Sequence, residues 1–235
     1  FTNSLLVGTD STGTLSSADG NTGVGVGVLG ALTTGDNNVA VGLNALDVNT
    51  TGGDNTAVGA NALCKNTTAV GNSAFGRCAL FDNTTGAANN TFGTESLANN
   101  TTGGCNNAFG NAALGQNTTG AGNIAMGHIA LNANTTGARN VAIGCGALPV
   151  NTTASFNTAV GTCSMCKNTT GANNVAMGFQ ALCANTTASG NTAIGYLAIC
   201  SNTTGTTNTA IGINALNANT TAAYNTAVGG GALAT

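Results

Sequence analysis

The most constraining feature of this sequence is a glycine that recurs every seventeen residues without a single slip. It closes a short motif that reads Asn140-Val141-Ala142-Ile143-Gly144 in one copy and Asn191-Thr192-Ala193-Ile194-Gly195 in another. A short fixed period is typical of solenoids, in which each repeat buries its apolar residues only by stacking on its neighbours. The recurring glycines are Gly8, Gly25, Gly42, Gly59, Gly76, Gly93, Gly110, Gly127, Gly144, Gly161, Gly178, Gly195, Gly212 and Gly229.

We call each seventeen-residue repeat a coil and count its positions from the Asn of the motif, so that Asn140 is position 1. The coil then reads N-T-A-V-G-x-x-A-L-x-x-N-T-T-G-x-x. Seventeen residues are too few for two helices and a turn, and apolar positions five apart do not repeat along a helical face. Short β segments with Gly and Asn-Thr-Thr corners fit this pattern. The sequence therefore predicts an all-β fold, a parallel β-solenoid or β-roll of fourteen coils.

The pattern also suggests which side chains fill the coil. Position 4 is apolar in every coil and position 9 is Leu, Met or Ile in all but the first, so we predict that both face inward. Positions 3 and 8 would then face outward, since successive strand residues alternate faces. Position 8 is Ala or Ser from Ala45 onward. We therefore predict assembly of several chains through these small residues, with Ala181 and Ala198 in the contact.

The first two coils depart from the pattern. Leu15 and Leu32 stand where Asn is otherwise found, and Thr12 replaces the usual Leu. Terminal repeats often deviate because they cap or join. We therefore divide the chain into atypical N-terminal coils, residues 1–37, and a regular solenoid, residues 38–235. Since the chain opens on Phe1 and stops within a coil, we interpret it as a processed product or a segment of a longer protein.

Composition and charge exclude some functions. Charged residues make up 5% of the chain, and four basic residues leave no electrostatic footprint for nucleic acid. No apolar stretch approaches the ~20 residues of a membrane-spanning helix. His128 is the only imidazole, its nearest acid in sequence is Glu95, and no nucleophile has a repeated ionisable partner. We therefore expect no enzyme activity, no catalytic residues and no cofactor.

A triplet Asn-Thr-Thr occupies positions 12 to 14 in eleven consecutive coils. Each triplet is a formal N-glycosylation acceptor. The alternative is a ladder of stacked amides that hydrogen-bond from coil to coil and hold a tight corner. The regular spacing favours the ladder. The asparagines are Asn49, Asn66, Asn83, Asn100, Asn117, Asn134, Asn151, Asn168, Asn185, Asn202 and Asn219.

Two clusters have metal-ligand chemistry. Cys166, Cys183 and Cys200 share position 10 in successive coils, with Cys163 nearby, so their stacked Cα atoms would lie ~5 Å apart, within disulfide range. These four thiols are possible ligands for a zinc ion. A straight ladder of cysteines does not match the tetrahedral geometry that zinc prefers, so we favour cysteines that are mostly unpaired.

Asp19 and Asp36 share position 16 in adjacent coils, and Asp54 follows one place later in the next coil. Stacked carboxylates repel one another, so a Ca²⁺ ion is one interpretation of this group. The other is that these are ordinary turn aspartates facing water, which we favour because Asp is common in turns.

The repeat resembles known families. Asn140-Val141-Ala142-Ile143-Gly144 and Asn174-Val175-Ala176-Met177-Gly178 resemble the N-S-V-A-I-G repeats of trimeric autotransporter adhesin heads. Residues 191–205 look like repeat regions of bacteriophage and other viral tail-fibre proteins, and residues 4–8 with 12–16 look like the lead-in to such repeats. The adhesin resemblance implies a left-handed roll and a homotrimer with the Ala faces between chains.

We therefore expect a non-enzymatic structural or adhesive fibre segment, extracellular, on a cell surface or on a virion. Its expected partners are further copies of itself, as a trimer or an end-to-end filament, and a cell-surface receptor or matrix. The alternative function is ice binding, because the Thr residues at positions 13 and 14 form a regular hydroxyl array. Adjacent Thr residues should point to opposite sides, which counts against one flat ice-binding face.

Overall fold

The computed structural model describes residues 4–8 and 17–234. Residues 1–3, 9–16 and 235 lie outside the described part, and with them Thr12, Leu15 and much of the proposed N-terminal joint. The chain divides into two compact units, residues 1–121 and residues 122–235. No helix in the described ranges is long and apolar enough to cross a membrane.

Each unit is built from three-residue parallel strands, one to a coil, at coil positions 2 to 4. In the first unit they are β1 Leu5–Val7, β2 Thr22–Val24, β3 Val39–Val41, β4 Thr56–Val58, β5 Ser73–Phe75, β6 Asn90–Phe92 and β7 Asn107–Phe109. In the second unit they are β8 Ile124–Met126, β9 Val141–Ile143, β10 Thr158–Val160, β11 Val175–Met177, β12 Thr192–Ile194, β13 Thr209–Ile211 and β14 Thr226–Val228.

The strands of each unit stack in sequence order with a register of one coil. Thr158, for example, pairs with Val141 on one side and with Val175 on the other. Hydrogen bonding continues around the coil, because the Thr152 N–H donates to the carbonyl of Thr169, one coil later, at 3.0 Å. The predicted all-β parallel solenoid with a seventeen-residue period is confirmed. Residues 17–37 share this register, since Thr22 pairs with Val39.

The interior of the coil differs from the prediction. Ala142 of β9 is fully buried, whereas Ile143, the next residue, is 37% exposed. The same pattern runs through both units, so position 3 faces inward and position 4 faces outward. Position 9 is buried as predicted, with Leu148 at 0% exposure, but position 8 is buried beside it, with Ala147 also at 0%. The prediction that positions 3 and 8 face outward was wrong.

The narrow cross-section explains this arrangement. One coil must enclose two buried Asn side chains, at positions 1 and 12, as well as the large residue at position 9. The space that remains accepts Ala at positions 3 and 8 but not a second large side chain, because protein interiors are packed without spare volume. The larger residue at position 4 is therefore outside.

The turn between the strand and position 9 has an unusual backbone. Gly144 has φ of 131°, and a Cβ there would lie 2.7 Å from the carbonyl carbon of Gly161 in the next coil. Such an approach is too close for any side chain, which accounts for the invariable period of this glycine. Leu148 is also left-handed, with φ of 50°. That conformation costs roughly 1–2 kcal/mol in an L-residue, and burial of the leucine side chain offsets it.

Candidate interaction surfaces and side-chain ladders

The asparagines at position 12 form the predicted amide ladder. Asn168 Nδ2 donates to Asn151 Oδ1 of the preceding coil at 3.2 Å and to the Gly171 carbonyl at 2.9 Å. Its Oδ1 accepts from Asn185 Nδ2 at 2.7 Å. Asn168 is fully buried. The ladder thus closes the corner and satisfies amide groups that would be costly to bury alone.

This geometry bears on glycosylation of the same asparagines. An N-linked sugar on Asn168 Nδ2 would remove at least one of its two donated hydrogen bonds and would have to leave a buried corner. The Asn side chains of the Asn-Thr-Thr triplets therefore serve the fold.

A second amide ladder, at position 1, was not predicted. Asn140 Oδ1 accepts the backbone N–H of Asn157 at 2.9 Å, and Asn157 Nδ2 donates to the Gly171 carbonyl, fourteen residues further on, at 2.8 Å. These bonds tie the start of the strand to the neighbouring coil and to the corner. The signal was present in the sequence, since Asn opens the motif in nearly every coil, but we assigned this Asn no structural role.

The threonines of the triplet divide into two environments. Thr169 Oγ1 at position 13 donates to the Thr186 carbonyl of the next coil at 3.0 Å and is half-buried. Thr170 at position 14 is exposed. The two rows therefore point in different directions, as strand alternation predicts, and do not form one flat array of free hydroxyls.

The outward residues at position 4 form an apolar row along the strands of each unit, and we call this row the outer strand face. In the first unit it includes a stack of aromatic rings, with Phe75 and Phe92 centroids 4.5 Å apart and Phe92 and Phe109 centroids 5.2 Å apart. In the second unit its members are Met126, Ile143, Val160, Met177, Ile194, Ile211 and Val228.

Sequence reasoning missed this surface because it assigned the largest residues to the core. The inward-facing position could have been recognised by how little its residue type varies from coil to coil, and not by the size of its side chain. Position 3 holds almost nothing but Ala after Gly23, whereas position 4 varies among Val, Phe, Met and Ile. A space that admits one small residue in coil after coil is a packed interior, while a surface admits several shapes.

The cysteines at position 10 are stacked as predicted. Cys183 Sγ and Cys200 Sγ lie 2.6 Å apart, and Cys166 Sγ lies 3.5 Å from the carbonyl oxygen of Cys183. All three are half-buried free thiols. Cys163 lies at position 7, on a different part of the coil, next to the buried Ser164. The ladder brings together three of the four cysteines considered for zinc.

Hydrogen bonding from the Cys183 thiol lowers the pKa of Cys166 to about 6, and the neighbouring Lys167 charge acts in the same direction against partial burial. The same hydrogen bond, together with burial, raises the pKa of Cys183. Cys166 is therefore more readily ionised than Cys183.

The three aspartates considered for calcium lie at exposed corners of the first unit. Asp36 Oδ1 accepts the backbone N–H of Asp19 at 2.8 Å, and Asp54 Oδ1 accepts from Asn37 Nδ2 at 3.3 Å. These are turn-capping interactions between coils. Within residues 4–8 and 17–234, no group of three His, Cys, Asp or Glu side chains converges in a way that could hold a metal ion.

The few other ionisable groups are spread along exposed positions. Lys65 pairs with Asp82 at 2.6 Å and Arg77 with Glu95 at 2.5 Å, in each case between neighbouring coils of the first unit. Pairs this exposed contribute little to stability, because solvent screens their charges. His128 is exposed, and Glu95 is engaged by Arg77.

No family model matches the chain, and neither the curated proteins nor the solved structures yielded a match.

Proposed function

We propose that this chain is a structural segment of a fibre and that it associates with further copies of itself through the outer strand face. The observation that carries the proposal is the row of apolar side chains at position 4, each exposed or half-exposed, on the strands of each unit. Isolated apolar residues are common on protein surfaces, but a contiguous row of them is typical of an interaction site. The resemblance to fibre and adhesin repeats supports an extracellular or virion location, with an adhesive role in contact with a receptor or matrix.

The spacing of the outer strand face favours a second copy as its occupant. Its side chains recur once per coil, at the ~4.8 Å separation of neighbouring strands. A partner with any other repeat distance falls out of step after a few coils. A copy of the same chain has the same spacing by identity and can match row against row, and such homo-oligomers close by symmetry. A trimer is the assembly that the adhesin resemblance favours.

The proposed contact through the outer strand face replaces the predicted contact through the alanines of position 8. Ala181 and Ala198 are fully buried within a single chain and offer no surface to a partner. Enlarging them is expected to disturb the coil rather than the assembly.

The test adds the same three charges to two different surfaces of the same three coils. The first variant carries Met177→Asp, Ile194→Asp and Ile211→Asp on the outer strand face. The control carries Thr187→Asp, Thr204→Asp and Thr221→Asp at position 14, where all three residues are exposed. Sedimentation equilibrium should show an oligomer for the parent and the control and a monomer for the first variant.

Circular dichroism accompanies the measurement, and all three proteins should retain the same β spectrum. A monomeric parent at ~100 µM, well above the Kd of most specific assemblies, would overturn the proposal. So would a first variant that keeps the oligomeric mass of the parent.

Ice binding is a second candidate, and a different observation now favours it. The hydroxyls that point outward from the strands are those at position 2, beside the apolar residues of position 4. They occur in the second unit at Thr158, Thr192, Thr209 and Thr226. Thermal hysteresis of the purified protein tests this function, and a freezing point equal to the melting point would exclude it. Thr192→Tyr and Thr209→Tyr should abolish any hysteresis, whereas the position-14 control should retain it.

A further inference from the structure

The ladder of Cys166, Cys183 and Cys200 is a group of thiols that the proposed fibre role does not use. These residues occupy the same position in three successive coils and are joined by short contacts. The neighbouring backbone holds them in place, since Leu182 N–H donates to the Ala198 carbonyl at 2.9 Å and Ala184 N–H to the Cys200 carbonyl at 3.0 Å. The sulfur atoms are thus positioned by the coil stack itself.

We propose that Cys183 and Cys200 form a reversible disulfide between neighbouring coils, and that Cys166 is the thiol through which a small disulfide oxidant enters. The 2.6 Å separation of the Cys183 and Cys200 sulfurs is only slightly longer than the bond of about 2.05 Å that would join them. Neighbouring coils are stacked at the strand spacing of ~4.8 Å, which lies inside the Cα–Cα range that disulfides span. Closing the bond therefore requires a small side-chain rotation and no movement of the coils.

The oxidant we name is glutathione disulfide, and the reaction proceeds by three exchanges. The Cys166 thiolate attacks one sulfur of the oxidant, which forms a mixed disulfide and releases a glutathione thiolate. Cys183, on losing its proton to solvent, attacks the Cys166 sulfur and displaces the second glutathione thiolate. Cys200 then attacks Cys183, which forms the final disulfide and restores Cys166.

Two protein thiols are oxidised overall, and one glutathione disulfide is reduced to two glutathione molecules. The two protons that the protein thiols lose are taken up by the two glutathione thiolates. The central position of Cys183 makes it the relay, since it is the one cysteine at position 10 that has a cysteine at the same position in the coil before it and in the coil after it.

The depressed pKa of Cys166 accounts for its role as the entry point. A thiol with a pKa of about 6 is mostly thiolate at neutral pH, whereas an ordinary cysteine with a pKa near ~8.5 is only a few per cent ionised. The thiolate is the attacking species in exchange. Cys166 is half-buried rather than enclosed, so a tripeptide disulfide can approach it.

The chain contains its own control for this inference. Cys64 lies at the same coil position in the first unit, but its neighbours at position 10 are Asp47 and Phe81. Burial and then the Asp47 charge raise the pKa of Cys64. Cys64 therefore has neither a stacked sulfur nor a favoured thiolate, and we expect it to remain unpaired under the same conditions.

The experiment treats the reduced full chain with glutathione disulfide, blocks the remaining thiols and digests with chymotrypsin. Cleavage after Phe179 and Tyr196 places Cys166, Cys183 and Cys200 on three separate peptides. Mass spectrometry should find the Cys183 and Cys200 peptides joined and Cys64 blocked as a free thiol. A mixture in which Cys64 or Cys105 is joined as often as Cys183, or an absence of any joined peptide, overturns the proposal.

The role of Cys166 is tested by a pH profile of the first exchange, measured as the rate at which the first glutathione is released, in the parent and in Cys166→Ala. Ala98 occupies position 10 in another coil, so the substitution fits the fold. In the parent this rate should change little between pH 7 and 8.5, because the Cys166 thiol that makes the first attack is already mostly ionised. The rate of Cys166→Ala should be lower at pH 7 and should rise about tenfold per pH unit until its ordinary thiols ionise. Parallel profiles would show that Cys166 has no part in the reaction.

Discussion

Adjacent residues of one strand belong to two regions that follow different rules. Ala193 lies in the coil interior, which comprises positions 1, 3, 8, 9 and 12, and it is fully buried. Ile194 lies on the outer strand face and is 36% exposed. The interior repeats nearly the same residue types in coil after coil, whereas the outer strand face changes from Val and Phe in the first unit to Ile, Met and Val in the second.

The difference shows what limits variation in this fold. Each interior side chain contacts the side chains at the same position in the coils before and after it. A change in its size or polarity therefore affects the packing of three coils at once. Outer side chains stack only along one row and border solvent. The interior therefore encodes the solenoid, and the outer strand face is the region on which selection for a partner can act.

The largest expected effect comes from breaking the period that both regions share. Deleting Thr153 alone shifts every interior position after it in one coil, and with them the Asn and Leu rows. Deleting residues 141–157 removes a whole coil and joins Asn140 to Thr158, which restores the motif. We expect the single deletion to cost at least about 4 kcal/mol of unfolding free energy and the coil deletion to leave a folded protein.

Denaturant unfolding followed by circular dichroism measures both deletions. A single-residue deletion as stable as the parent would contradict stacking in fixed register.

Next in size is removal of one rung of the interior amide ladder. Asn168→Leu keeps a comparable side-chain volume but leaves Asn151 Oδ1, the Gly171 carbonyl and Asn185 Nδ2 each with one partner fewer. Buried polar groups without partners cost about 1–3 kcal/mol each, so we expect a loss of about 3 kcal/mol. Thr170→Ala, two residues away and exposed, should change stability by less than ~0.5 kcal/mol. Similar losses in the two variants would show that the ladder does not stabilise the corner.

The substitutions Ala193→Leu and Ile194→Asp give the most direct comparison of the coil interior with the outer strand face. The first adds volume to a closed interior, and overpacking of this kind costs about 1–3 kcal/mol. The second places a carboxylate where Ile194 borders solvent in the single chain, so in the monomer the charge stays hydrated and the loss should be below ~1 kcal/mol. Thermal melts of both variants at a protein concentration where the parent is monomeric decide the assignment. A larger loss for Ile194→Asp would mean that the two faces are reversed.

The seventeen-residue period and the parallel β architecture could be predicted from the sequence. Both follow from the fixed spacing of Gly and Asn, which does not depend on which side chains face inward. The sequence also indicated the corner ladder, since Asn stacks on Asn whenever coils repeat in register. The usual rule that large apolar residues are buried did not predict which coil positions face inward. That rule assumes a core wide enough for them, and here Asn140, Asn151 and Leu148 already fill the coil.

The candidate site was predictable only in part. The stacking of Cys166, Cys183 and Cys200 follows from their common position, but the close approach of one pair of sulfurs depends on side-chain rotamers that spacing does not reveal. The same limit applies to the outer strand face. Once position 3 is known to face inward, the exposure of Phe92 and Ile211 follows from alternation alone.

The smallest expected effect is a gain in stability, and it tests the uniformity of the interior. Ser164 occupies position 8, where the flanking coils have Ala147 and Ala181. Its Oγ is the one buried side-chain polar atom without a hydrogen-bond partner in the described part of the chain. Ser164→Ala removes that hydroxyl and restores the row, so we expect a gain of about 1 kcal/mol.

Ser96, at the same position in the first unit, supplies the matched control because its Oγ donates to the Gly93 carbonyl at 3.0 Å. Ser96→Ala gives up this bond together with the hydroxyl, so its stability should stay the same or fall slightly. The two substitutions make the same chemical change at equivalent sites and differ only in whether the hydroxyl has a partner. Urea titrations of the two variants beside the parent measure the difference, and an equal gain in both would mean that the interior disfavours any hydroxyl at position 8.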